Sequence, residues 1–520
     1  MTAGERFDAI VVGAGSAGCV LAARLSEDAS RSVCLVEAGE DPDLAKLPDP
    51  LRLTSMVDER HAPYLWQHTA RATELRESVA IPSGRVVGGS SAINTTVYLW
   101  ALREDLDSWT AVAPEWSYEA CVPFFARLES DLDYPRAPHG TSGPIPVRRP
   151  PRESWSPAAT AYVEACLAAG FPAAPDHNAP DASGIGPVPF NTRDGARISA
   201  ALAFLAPARS RANLRILART SVRRVVFEGT RAVGIEVERD GDRRVLRAGE
   251  VILAAGAVGS AHLLLLSGVG PADEIARFGI RPVVPLTGVG RGLRNHPLAA
   301  AQWHASDRYA DAIELPIPWQ VQLRTTAPGS SDSRDACLGA AVLTKWTPDH
   351  EPRIGVSALL MHARSEGALR LASADPDVQP AIDLGFLRDA EDLRRLREMI
   401  RLAIELGERP ELARLRGTLA QPLAADVASD RSLDVWLKRN VLTSHHPTGT
   451  ARMGPPGDPL AVVDGAGRVH GTVGLRVIDA SIMPDCPRVN VNATTMMLAD
   501  KIATTTFGAP LVEQAQLSRA

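Results

Sequence analysis

A chain of 520 residues exceeds what one compact core organises, so two or three domains are expected. Its composition, 45% hydrophobic and 22% charged, is ordinarily globular, and a formal net charge of −5 offers no basic face for a nucleic acid. No apolar run reaches the roughly 18 residues of a membrane helix, and Met1 to Arg6 show no signal-peptide pattern, so a cytoplasmic protein with no integral membrane segment is expected.

The first element is legible at once. Ile10, Val11 and Val12 form a short apolar run ahead of glycine, the pattern of a buried parallel strand. Gly13, Gly15 and Gly18 then fit G-x-G-x-x-G. In that pattern the first glycine allows a tight turn, the second lets backbone amides approach a pyrophosphate, and the third lets the next helix pack closely. The helix starts near Ser16 and Ala17 and carries Val20, Leu21 and Leu25 at helical spacing, so its amino end can face phosphates. A second apolar run, Val33 to Val36, ends in Glu37-Ala38-Gly39. An acid about 20 residues beyond the glycines is placed to accept from a ribose hydroxyl. This reads as a dinucleotide site, and the motif alone leaves FAD and NAD open.

Residues 40–80 lack long periodicity and read as a connecting loop or lid. The cluster Gly88-Gly89-Ser90-Ser91, after Arg85 and Val87, offers amides and hydroxyls to a ligand, and equally forms a turn before a helix. Residues 134–160, rich in Pro and Arg, read as surface loop, and His177 as a surface hydrogen-bonding residue. Leu214–Leu217, Val222–Phe227 and Ala232–Val237 carry strand patterns. Val251–Ala254 is another buried strand, meeting Ala255-Gly256 at its carboxyl end, where ligands bind in open parallel sheets. His262 lies inside a helical apolar run and reads as packing, and His296 as structural. Residues 357–361 and 368–371 look like strands. Residues 390–406 form an amphipathic helix with Leu393, Leu396, Ile400 and Ala403 on one face and arginines elsewhere. Six scattered cysteines with no C-x-x-C pair give no metal or dithiol site.

The carboxyl-terminal part carries Ser444-His445-His446-Pro447-Thr448-Gly449-Thr450-Ala451-Arg452-Met453-Gly454, then Asp479-Ala480, then Asn490-Val491-Asn492-Ala493-Thr494. With the glycine turn, the Gly-Gly-Ser-Ser-x-x-Asn run and the segment from Gly256 to Gly270, these blocks resemble the glucose–methanol–choline (GMC) oxidoreductases, from Phe7 to about Ile502. The resemblance implies an α/β fold: a Rossmann-like FAD-binding domain and a second α+β substrate domain built on an antiparallel sheet. The first would comprise residues 1–150, 187–300 and 430–520, and the second 151–186 and 301–429. FAD is the implied cofactor. Arg85, Val87, Gly89, Ser90, Asn94, Thr95 and Val97 would lie along flavin and pyrophosphate, and Val222 on the adenine side. Ala255, Gly256, Asp479, Ala480, Asn490 and Thr494 would complete the contacts, Asp479 doubling as a helix cap. Ile93 stands where covalently flavinylated members have histidine, so non-covalent FAD is implied.

In that family the histidine of H-x-x-G-T faces the flavin beside a second histidine or asparagine, here His446 and Asn490. A group with pKa near 6.5 can take the hydroxyl proton as hydride leaves an alcohol carbon, and an amide can hold the developing alkoxide. Alternation along an extended segment would turn His445 away from the flavin. The expected activity is oxidation of an alcohol to an aldehyde or ketone, with the electron acceptor open among oxygen, a quinone or another redox carrier. Non-redox members of the fold, of the hydroxynitrile lyase or fatty acid photodecarboxylase type, are the alternative, against which the intact His446/Asn490 pair argues. No group for binding a quaternary ammonium can be placed, which favours a neutral alcohol.

Overall fold

The computed structural model describes residues 5–306, 309, 319–343 and 351–508. Its architecture rests on two large sheets. In the first, strand Arg6–Val12 lies between parallel partners Val33–Val36 and the carboxyl half of Asp242–Leu253, with Val11 opposite both Leu35 and Ile252. Leu214–Leu217 extends the parallel set on one side and Leu475–Val477 on the other. These strands are covered on both faces, which is why they read as unbroken apolar runs rather than alternating ones. Their carboxyl ends bring Gly13, Glu37, Ala254 and Asp479 to one edge. The remaining strands, Ser221–Glu228 and Arg231–Arg239, form an antiparallel extension on the amino half of Asp242–Leu253.

The second sheet is antiparallel, in the order Arg416–Gln421, Pro297–Ala305, Arg353–Leu360, Ala336–Leu343, Val321–Thr325, Gly184–Pro187, with Leu442–Thr443 also on Pro297–Ala305. Helix Ala390–Gly407 covers one face, started by Asp389, whose side chain accepts from the amides of Glu391 and Asp392. Leu396, Ile400 and Ala403 are buried on it as expected, with Leu393 partly so. Arg395 departs from the pattern. It is fully buried, its guanidinium between Asp335 and Asp392 at 2.7 Å from each. The helical period places residue 395 beside 392 and 396 on the inner face, where a cation is tolerated because both acids meet it.

Other expectations need correction. Residues 40–80 hold an antiparallel hairpin, Leu65–Ala70 with Val79–Gly84. Residues 134–160 include strand Ile145–Val147, paired in parallel with Glu129–Asp131, and the start of helix Pro157–Ala168. That helix is capped by Ser156 and is rich in small alanines, so it shows no apolar stripe against polar neighbours. His177 is fully buried rather than on the surface, its Nε2 donating to the carbonyls of Gly186 and Gln322. All six cysteines are buried and unpaired. Among the described residues no helix is long and apolar enough to cross a membrane.

A buried ionic knot ties Glu129–Asp131 to the following loop. His139 meets Glu129 and Asp176 at 2.9 Å each, and Arg149 meets Asp131 at 3.0 Å and Asp176 at 2.6 Å. Burial pulls the His139 pKa down, but the bonds to Asp176 and Glu129 outweigh it and lift the value to about 9. A histidine raised above its unfolded value near 6.5 stabilises fully below that pH and loses its contribution as pH rises through about 9. Stability to urea should therefore fall between pH 7 and 10, by at most about 1.4 kcal/mol per pH unit from this group, and His139→Gln should flatten that limb. An unchanged slope in the variant would remove the assignment.

Candidate active site

A cavity of about 840 Å³ lies where the carboxyl edge of the parallel sheet faces the antiparallel sheet. Its walls include Gly13, Gly15, Ser16, Ala17, Glu37 and Ala38 from the first strand–helix–strand unit. Gly89, Ser90, Asn94, Thr95 and Val97 line it from the second glycine cluster, and Val222, Ala255 and Gly256 from beyond. Asp479, Ala480, His446 and Asn490 close it from the carboxyl-terminal blocks. Four expected residues do not line it, three of them buried or packed behind the wall and Arg85 exposed. Gly18 packs on Gly13, Arg85 lies 4.8 Å over the Trp66 ring, Val87 is buried with its amide on the Glu40 carbonyl, and Thr494 is buried.

The three glycines of the first turn differ in what requires them. Gly13 has φ +98°, and a Cβ there would meet the Ala254 carbonyl oxygen at 2.6 Å. A Cβ at Gly18 would sit 1.8 Å from the Gly13 carbonyl oxygen. Gly15 has φ −83° and its nearest protein atom would be 3.9 Å away. Among the described residues only the Gly89 Cα, at an ordinary contact distance, meets that position, so the fold itself does not require glycine there. The opposing wall, Gly89, approaches Gly15 so closely that its own Cβ would lie 2.5 Å from the Gly15 Cα.

Glu37 is buried, one carboxylate oxygen accepting from the Ala14 amide at 2.9 Å and the other from the Gly39 amide at 2.8 Å. Burial lifts its pKa to about 7 despite these bonds. Asp479 accepts from the amides of Gly256 and Ser481 and from the hydroxyls of Ser260 and Ser481, at 2.5–2.8 Å. It therefore holds the start of helix Gly256–Leu266 against the turn Ala480–Ile482, and caps that turn as anticipated. Asn492 was not anticipated. Its Oδ1 accepts from Ser16 Oγ at 2.7 Å, joining the first and last helices of the described chain, and its buried Nδ2 has no partner among the described residues. An open cradle at Gly15, a buried carboxylate at Glu37 and an orphaned amide at Asn492 fit a bound dinucleotide.

The chemistry centres on His446. Its Nε2 is 3.1 Å from Asn490 Nδ2, and its Nδ1 is 3.1 Å from Ser444 Oγ and 3.0 Å from His296 Nδ1. Asn490 Nδ2 can only donate, so Nε2 carries the lone pair. Ser444 Oγ donates to the His296 carbonyl at 3.0 Å, leaving its own lone pair for the proton on His446 Nδ1. His296 then accepts at Nδ1 and donates from Nε2, with Cys486 Sγ at 3.1 Å. Burial, then the neighbouring His296 and His445, hold the His446 pKa well below its ordinary value. The neutral imidazole thus presents Nε2 to the cavity. His296, expected as structural, directly adjoins this ring, which no spacing in the sequence signals.

His445 breaks the expected alternation. It has φ +64°, a left-handed conformation in which successive side chains no longer oppose each other, and both His445 and His446 line the cavity. Partners separate them: the His446 ring is held at both nitrogens, whereas among the described residues only the His445 backbone amide is bonded, to Thr443 Oγ1. His262, read as packing, also reaches the wall from helix Gly256–Leu266.

Comparison with known proteins follows this geometry. Models of the GMC oxidoreductases match residues 7–298 and 363–499. The chain is 36% identical to human mitochondrial choline dehydrogenase, over 97% of this chain and 90% of that protein. It is 34% identical to choline oxidase of Arthrobacter globiformis, over 99% and 98%. Among solved structures, pyridoxine 4-oxidase from Mesorbium loti superposes with a TM-score of 0.87 at 29% identity, covering 96% of this chain and 99% of that one. The chain belongs to the GMC oxidoreductase family and is an FAD-dependent oxidoreductase of alcohols.

Proposed function

We propose that His446 Nε2 is the base that takes the proton from the substrate hydroxyl, with Asn490 Nδ2 donating to the same oxygen. The 3.1 Å contact between these two atoms at the cavity wall carries the reading. A hydroxyl inserted there donates to one and accepts from the other, so the oxygen is held while its proton leaves. FAD, when bound, supplies the acceptor for the hydride. Ser444 and His296 hold the Nδ1 proton and so keep Nε2 free for this task. Burial and the neighbouring His296 and His445 lower the His446 pKa, so the ring starts neutral, with its Nε2 lone pair available to the hydroxyl proton.

The residues of the glycine turn and of the Gly89–Val97 segment, with Glu37, Val222, Gly256, Asp479 and Ala480, are assigned to holding FAD without a covalent bond, since Ile93 offers no nucleophile. We assign residues 1–150, 187–300 and 430–520 to a cofactor domain and 151–186 and 301–429 to a substrate domain; the two large sheets support this, although strands Gly184–Pro187 and Pro297–Ala305 cross its boundaries and Leu442–Thr443 joins the second sheet from the cofactor part. Six unpaired thiols favour the cytoplasm, and the electron acceptor stays open among oxygen, a quinone and another redox carrier. Anaerobic mixing of the FAD-loaded protein with an alcohol panel tests the chemistry: some alcohol should bleach the yellow flavin band, and bleaching by none would end the reading. Rates with oxygen and with a dye then decide the acceptor.

Glu37 makes a separate expectation. Ribose hydroxyls donate to an ionised carboxylate, and in the free protein this group holds its proton up to about pH 7. FAD affinity should therefore rise as pH increases from 6 to 8, approaching tenfold per pH unit below about 7. Glu37→Gln should bind more weakly and lose this dependence in equilibrium dialysis.

A further inference from the structure

The antiparallel sheet presents one lateral row to the cavity: Leu298 opposite Leu359, Leu359 opposite Cys337, and Cys337 opposite Arg324. Arg324 is 3% exposed, yet it lines the cavity. Its Nη1 donates to the His177 carbonyl at 2.7 Å, and Nη2 has no partner among the described residues. The charges around it are already matched. Asp105 is bound by Arg488, and Glu104 by Arg334 at 2.6 Å. Arg324 is left as a buried cation without a carboxylate, an expensive arrangement unless a ligand supplies one. Beside it on the same strand face, the side-chain oxygen Oε1 of Gln322 accepts from Cys337 Sγ at 3.4 Å, leaving the Nε2 N–H groups to donate. His177, which bonds the Gln322 carbonyl at 3.2 Å and receives Arg324, pins both from behind.

The acids lining the cavity among the described residues are Glu37, Asp377 and Asp479. Asp377 is paired with Arg223, and the other two are held by backbone amides on the cofactor side. None of these three stands on the antiparallel sheet, so among the described residues a cationic alcohol finds no counter-charge there.

We propose that the substrate is an alcohol with an apolar body and a carboxylate remote from the hydroxyl, the carboxylate held by Arg324 and Gln322. The body would lie across Leu298, Leu359 and Met361. This replaces the neutral alcohol expected from sequence, and it rests on the alcohol-oxidation reading.

The test compares 4-(hydroxymethyl)benzoate, its methyl ester and choline as anaerobic reductants of the FAD-loaded protein, native and Arg324→Met. The acid should half-saturate at a concentration at least tenfold below the ester, and choline should be poorest. Arg324→Met should raise the acid's KM about 10–100-fold, leave the ester within threefold, and leave kcat nearly unchanged; Arg324→Lys should recover part of the loss. Ester or choline used as well as the acid by the native protein, or equal losses for acid and ester in the variant, would overturn the proposal. Calorimetric titration of the holoprotein with 4-methylbenzoate, which has no alcohol, separates the two readings. Carboxylate binding with no bleaching by any alcohol would overturn the oxidation chemistry and keep the anchor, whereas bleaching without carboxylate binding would do the reverse. If Arg324→Met fails to fold, the native preference and this titration decide.

Discussion

His446→Ala should slow anaerobic reduction of bound flavin by about 10²–10⁴-fold, the range a positioned general base contributes, while the visible spectrum of bound FAD stays intact. The alanine removes the lone pair that Asn490 and the substrate share, and puts no charge or bulk near the glycine cradle. Native reduction should be flat through neutral pH, because burial keeps the ring unprotonated there. His445→Ala is the matched control. Its side chain faces the same cavity but is held by no partner among the described residues, so a loss below tenfold is expected. Stopped-flow traces at saturating alcohol read both. Equal losses from the two variants would mean that the fixed ring is not the base. A reduced rate in His296→Gln, accompanied by a shifted pH profile, would show that the Nδ1 proton must be held from behind.

The contrast between these two histidines shows what a linear reading can and cannot reach. The G-T spacing after His446 carries the resemblance that points to the proposed base, and the glycine pattern with Glu37 points to the proposed cofactor edge, because both are local patterns along the chain. The orientation of His445 depends on a left-handed backbone in a residue that is not glycine, which nothing local requires. His177, Arg395 and Arg324 share another reason for being misread or passed over. Each is a buried polar side chain with a partner from a distant part of the chain: the Gln322 carbonyl for His177, Asp335 for Arg395, and the His177 carbonyl for Arg324. Periodicity assigns such residues to the surface on polarity alone, and only the sheet register brings their partners into view. The hairpin Leu65–Ala70 with Val79–Gly84 was hidden similarly, since its exposed face carries Trp66 and polar residues without alternation.

The largest effect on cofactor binding should come from the glycine turn, and its members should fail in different ways. Gly18→Ala drives a methyl carbon to within 1.8 Å of the Gly13 carbonyl oxygen, a backbone atom that no side-chain rotation can move aside. Helix Ser16–Leu25 must retreat from strand Arg6–Val12, which costs about 1–3 kcal/mol or more by overpacking. Retreat also withdraws the amino end of the helix from the cradle. This variant should lose stability even without FAD and should be recovered largely as apoprotein. Gly15→Ala meets only the Gly89 Cα at 3.9 Å and keeps an ordinary φ of −83°. Its apoprotein should lose no more than about 1–2 kcal/mol, the cost of placing alanine at a helix N-cap where glycine is preferred. Its methyl group enters the space left for the pyrophosphate, so FAD affinity should fall at least tenfold in dialysis. The two variants thus separate a glycine required by the fold from one required by the ligand. Native FAD affinity in Gly15→Ala would show that the cradle between Gly15 and Gly89 serves something other than the dinucleotide.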